Sequence, residues 1–219
     1  AVSSVLKTEK MWSRFFHTSI GVSVILGIYG LFQLSGAIAI NQGGVRVDGT
    51  LGNATYLAIY MLFHIFLTFF FMVKRHYGKG EGRFFSDYIN YIYGAIIALQ
   101  AVMLYYTASR GPILGLMGGV LISSILIAVF ERERKGIRIA SFATLAAIVI
   151  IGGSFMTFRD SNFVRNSKVL ARFSDITVSE RTTRSRFMIW NMAYQGFKER
   201  PALGWGQENF NYVFNKYYN

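Results

Sequence analysis

A single arginine separates two uncharged apolar runs in Tyr105-Tyr106-Thr107-Ala108-Ser109-Arg110-Gly111-Pro112-Ile113-Leu114. A junction this short keeps its guanidinium close to where the flanking helices would leave a bilayer. Ser109 is of a type that caps a following helix, Pro112 suits a first turn, and the free N–H groups there carry the positive end of a helix dipole. A guanidinium beside such an end suits an anion of phosphate type, which it can hold by paired, charge-assisted hydrogen bonds. Interfacial arginines also anchor on lipid phosphate, and that reading of Arg110 stands beside the first.

Two further stretches carry similar chemistry. Asn41 to Asn53 is a turn-rich string with Arg46 at its centre, either a plain connector or a backbone-lined saccharide or phosphate contact that takes its charge from Arg46. Arg181, Arg184 and Arg186 crowd the start of a helical pattern over about 182–199. The macrodipole disfavours cations at that end, so they call for an anionic partner or for water. Within the pattern Phe187, Trp190, Tyr194 and Phe197 fall on one helix face, which suits a bilayer surface or neighbouring helices. Pro201 stops the helix, and Gly204-Trp205-Gly206 forms a tight turn that can set an indole at membrane or sugar level.

The elements that position these residues are legible from hydropathy. Runs at about 15–40, 54–73, 88–109, 111–130 and 139–158 each approach or exceed the roughly 20 apolar residues that a spanning helix needs. The segments around them are basic in alternation. Lys7, Lys10 and Arg14 precede the first run, Arg46 follows it, and Lys74, Arg75, Lys79 and Arg83 follow the second. Arg110 follows the third run, and Arg132, Arg134, Lys135 and Arg138 follow the fourth. The positive-inside rule then puts the start of the chain in the cytoplasm, Arg46 and Arg110 outside, and residues 159–219 on the exported side. The expected fold class is an all-α, polytopic transmembrane bundle of five spanning helices. Residues 1–158 form the membrane domain, and 159–219 begin a large, partly helical exported loop.

The formal charge of +12 does not indicate nucleic acid, because eight of the 23 basic residues sit in the two inner loops beside helix ends. There they meet anionic lipid headgroups. Absence of cysteine excludes a disulfide framework, and two prolines leave no linker between soluble domains. The first run is longer than the apolar core of a cleaved signal peptide, which favours an uncleaved helix. Gly21, Gly27, Gly30, Gly94, Gly115, Gly118 and Gly119 offer small surfaces for close helix approach. The chain is expected to be an internal piece of a longer protein.

No Asp-x-Asp pair or phosphate-cradling glycine loop is present, so neither a metal nor a nucleotide cofactor is expected. His17 lies near the inner end of the first helix, His64 at the middle of the second and His76 in an inner loop. A mid-membrane histidine is a functional candidate by default, but His64 has no acidic intramembrane partner and reads as a hydrogen-bonded structural residue.

Three outer strings, Arg46-Val-Asp-Gly-Thr-Leu-Gly-Asn53, Ser109-Arg110-Gly111 with Leu114, and Arg186-Phe-Met-Ile-Trp190 leading to Pro201-Ala-Leu-Gly-Trp-Gly206, together resemble the O-antigen ligase and polymerase family of bacterial membrane glycosyltransferases. The resemblance covers about 160 residues. It implies transfer of a glycan from undecaprenyl diphosphate to a lipid A core, glycan or protein acceptor at the periplasmic face of the inner membrane, without metal. It implies catalytic roles for Arg110 and Arg186 on the diphosphate, and substrate contacts from Arg46, Ser109, Arg184 and Trp205. A histidine of the large periplasmic loop assists the attacking hydroxyl in that family. This stretch has none on the exported side, so the piece alone is expected to be inactive. Asn53 is followed by Ala54 where the family often has proline. A transporter or anion permease, and a non-catalytic membrane subunit, are the alternative readings.

Overall fold

The computed structural model describes residues 5–41, 46–78, 87–132, 134–167, 169–171 and 181–218, without the side chains of 77, 78 and 181–183. Lys79, Arg83, the Gly43-Gly44 pair of the loop after the first run, most of the stretch between 167 and 181, and the Arg181 side chain lie outside the described residues. Within them all regular structure is helical. The elements are α1 (Glu9–Leu34), α2 (Ala54–Gly78), α3 (Tyr88–Tyr106), α4 (Arg110–Phe130), α5 (Lys135–Phe158), α6 (Asn162–Asn166), α7 (Arg181–Glu199) and α8 (Phe210–Tyr217). The chain divides into two compact units, Ala1–Arg172 and Phe173–Asn219.

Helices α1 to α5 are each long and apolar enough to cross a membrane, as the hydropathy runs led us to expect. Their ends follow local chemistry more than apolar content. Thr8 starts α1 six residues before the apolar run, because its side chain accepts a hydrogen bond from the Met11 N–H at 3.3 Å. The same helix stops at Leu34, and Gly36 at φ +79° turns the chain away, so the last residues of the expected first run are not helical. Asp87 caps α3 by accepting from the Ile89 N–H at 3.2 Å.

In the first unit α2 packs on α3, α1 packs on both, α2 also meets α4, and α4 packs on α5. Val47, Leu57, Ala58, Met61, Ile65, Met103 and Leu104 form the buried centre. Val47 belongs to the loop between α1 and α2, so its described end folds into one end of the bundle. Close approach uses some of the expected glycines. A Cβ on Gly30 would fall on the Met103 side chain, one on Gly27 would lie 2.8 Å from Leu99, and one on Gly119 would lie 2.7 Å from Phe66. Gly21, Gly94 and Gly118 have open space around them.

Polar side chains inside the bundle satisfy one another. Gln100 of α3, fully buried, donates from Nε2 to Ser23 Oγ of α1 at 2.8 Å and to Thr68 Oγ1 of α2 at 3.2 Å. Polar groups without water must find such partners, and this trio joins three helices at one level. His64 is held between Ser19 Oγ and the Tyr60 carbonyl, each at 2.8 Å, in keeping with a structural histidine.

In the second unit α7 packs on α8. Met192 and Val213 are buried, and a Cβ on Gly196 would lie 2.5 Å from Val213 Cγ1. Lys216 and Tyr217 of α8 both hydrogen-bond the Glu199 carboxylate at the end of α7.

Candidate functional site

The joint between α3 and α4 gathers three of the residues nominated from sequence or hydrogen-bonded to them. The α3 helix ends at Tyr106, three residues earlier than its apolar run, because Ala108 takes a positive φ of 48°. An L-residue with a side chain adopts that conformation at a cost of about 1–2 kcal/mol, so packing must hold it there. It does, since Thr107, Ala108 and Ser109 are all buried. The turn delivers Arg110 as the first residue of α4, half-buried, with Pro112 in the first turn as expected.

Ser109 does not act as the expected side-chain cap. It stands at the N-cap position in extended conformation, but its hydroxyl makes no capping hydrogen bond to α4. The hydroxyl faces the loop between α1 and α2 instead and accepts from Arg46 Nη2 at 3.0 Å. Arg46 also donates from Nε to the Thr107 carbonyl at 3.0 Å, and Nη2 reaches Thr55 Oγ1 at 3.4 Å. One guanidinium thus ties the first loop, the start of α2 and the turn that carries Arg110.

A second tie holds the loop itself. Gln33, near the end of α1, donates to Asp48 Oδ1 at 2.8 Å and accepts from the Gly49 N–H at 2.9 Å. The Val47 N–H donates to the Tyr106 carbonyl at 3.2 Å. Gln33, Asp48 and Thr107 carry no catalytic pattern in sequence. The only available signals were a glutamine at the last turn of an apolar helix and an aspartate in a glycine-rich loop.

Of the sequence-nominated residues, Arg46, Ser109 and Arg110 come together in the first unit, whereas Arg184, Arg186 and Trp205 belong to the second. Arg184 and Arg186 are exposed on α7. Trp205 is half-buried, and its indole N–H donates to the Gly196 carbonyl at 2.9 Å while Arg200 lies 4.2 Å from its ring. Gly204 and Gly206 take φ of 64° and 85°, which forms the expected turn. The turn thus brings the indole back onto the end of α7.

A family model described as O-antigen ligase matches residues 95–219, more than half of the chain. The chain belongs to the O-antigen ligase family. It is therefore a multi-pass membrane protein of a glycan-transfer family, whose partners are lipid-linked glycans and their acceptors in general. No curated protein and no solved structure matches the chain. In this family member the match spans Ser109, Arg110, Arg184, Arg186 and Trp205 and leaves Arg46 outside it. Arg46 enters the site through its hydrogen bonds alone.

Proposed function

We propose that the protein carries part of the site at which a glycan is transferred from undecaprenyl diphosphate to a lipid, glycan or protein acceptor at the periplasmic face of the inner membrane. In the reaction the acceptor hydroxyl oxygen attacks the anomeric carbon, and the bond from that carbon to the diphosphate oxygen breaks. The electron pair leaves on the lipid diphosphate, and the hydroxyl proton goes to a base. Arg110 and Arg186 are each proposed to meet the charge that grows on the diphosphate, as charged donors that stabilise it electrostatically. Arg184 and Trp205 are proposed substrate contacts. Arg46 and Ser109, nominated as substrate contacts from sequence, fit a positioning role at the turn that presents Arg110.

The observation that supports this reading best is Arg110 at the first turn of α4, half-buried at one end of a spanning helix, within the stretch that matches the family. Passage of an anion through the bundle fits less well. Among the polar groups at mid-helix, Gln100, Ser23, Thr68, His64 and Ser19 are bonded to one another or to backbone. The orientation, with residues 159–219 outside, rests on the distribution of basic residues.

The test is Arg110→Ala and Arg186→Ala, each in the full-length protein in a cell that depends on it for glycan transfer, with membrane abundance measured alongside. Each variant is expected to lower transfer by about 10²- to 10³-fold at normal abundance, the usual cost of removing one such donor. Normal transfer by either variant removes that arginine from the site.

A further inference from the structure

The second unit leaves one face of α7 uncovered. Phe187, Trp190, Tyr194 and Phe197 are exposed by 58%, 64%, 55% and 57%, although α7 packs closely on α8. The packing uses the opposite side, through Met192 and Gly196. At about 100° per residue the aromatic set spans a single stripe, with Arg186 along one flank and Lys198 along the other. The Lys198 ammonium lies 4.6 Å from the centre of the Tyr194 ring. Glu199 is the acidic residue of α7, and its carboxylate is engaged by Lys216 and Tyr217. Among the described residues of α7 the stripe is therefore aromatic, bordered by cations and without negative charge.

We propose that this face of α7 docks on an anionic lipid surface. Helices that lie in a membrane interface combine such a stripe with Lys and Arg beside it, and indole and phenol rings favour headgroup depth. The charge is complementary to anionic lipid and opposed to a second copy of this cationic unit. Residues 159–180 connect α7 to the end of α5, itself long and apolar enough to span, so the bilayer is the apolar surface within reach. The proposal shares Arg186 with the proposed transfer site but uses neither Arg110 nor the reaction, and labels at 187, 194 and 195 test it without measuring transfer.

The chain contains no cysteine, which makes site-specific labelling direct. Spin labels at Phe187→Cys and Tyr194→Cys, and at Gln195→Cys roughly 100° round the helix from Tyr194, would be introduced one at a time into the whole chain. Each would be reconstituted in vesicles of phosphatidylethanolamine with phosphatidylglycerol, and separately in phosphatidylcholine alone. The ratio of accessibility to oxygen over a water-soluble nickel chelate is expected to be several-fold higher at 187 and 194 than at 195. The difference is expected to shrink in phosphatidylcholine. Equal ratios at the three positions, or labels at 187 and 194 shielded from both reagents by protein, would overturn the proposal. Equal contrast in the two kinds of vesicle would overturn its anionic requirement.

Discussion

Arg46 Nη2 lies 3.0 Å from Ser109 Oγ, a bond made across 63 positions of sequence. With the bond from Nε to the Thr107 carbonyl it holds both ends of the turn in which Ala108 is strained. The residue after that turn is Arg110, so the loop between α1 and α2 governs where Arg110 stands.

Replacing Arg46 by Lys keeps the charge and loses the fork, because an ammonium cannot hold Thr107 O and Ser109 Oγ in the same geometry. A hydrogen bond from a charged group contributes about 1.5–3 kcal/mol, so Arg46→Lys is expected to lower kcat by roughly tenfold or more. KM for the acceptor should stay nearly constant, as a positioning role requires. Transfer kinetics on purified full-length protein decide it, and an unchanged kcat rules the role out.

Gln100 joins three helices away from the turn that carries Arg110. Gln100→Leu preserves volume and removes these bonds, and intramembrane hydrogen bonds average about 0.6 kcal/mol. A loss of about 1–2 kcal/mol is expected, allowing for the partners left behind. A lowered Tm in detergent with near-normal transfer would match. A large loss of transfer at unchanged Tm would not.

Gly196→Ala puts a methyl group onto Val213, where no room exists. Overpacking of this kind costs about 1–3 kcal/mol, and α8 should loosen from α7. Hydrogen exchange in α8 reads this directly. Val213→Ala in the same chain removes the two atoms that clash most closely and is expected to restore protection.

The contact of α8 with Glu199 depends on pH in both directions. Hydrogen bonding from Lys216, then from Tyr217, lowers the Glu199 pKa below its ordinary value. Its contribution is complete above the ordinary carboxylate value and is lost as pH falls through the lowered one. The bond to Glu199 raises Lys216 and Tyr217 above their ordinary values, so their contribution is complete below those values and is lost as pH rises through the raised ones. Protection of α8 should be flat across neutral pH and fall at both extremes, modestly because the groups are exposed. Glu199→Gln should abolish the acid limb.

Much of this architecture is visible without coordinates. Five apolar runs become five helices because a segment of that length and hydropathy has one favourable arrangement in lipid, with every backbone group bonded within the segment. The α7 pattern was equally legible. Helix α8 was missed although Phe210, Val213, Phe214 and Tyr217 recur at helical spacing, since eight residues give too short a period to stand out.

Sequence alone determined the spans, the basic alternation around them and the types of residue at the helix ends, because each depends on local composition. Tertiary structure decided what those residues do. A hydroxyl such as Ser109 can cap its own helix or accept from a distant guanidinium, and only the inward fold of the Val47-Asp48 loop brings Arg46 near enough to choose the second. Likewise Trp205 reads as an indole set at membrane or sugar level until the turn at Gly204 and Gly206 folds it back, where its N–H donates to the Gly196 carbonyl. Hydrogen bonds between residues far apart in sequence are set by packing, and packing has no local signature.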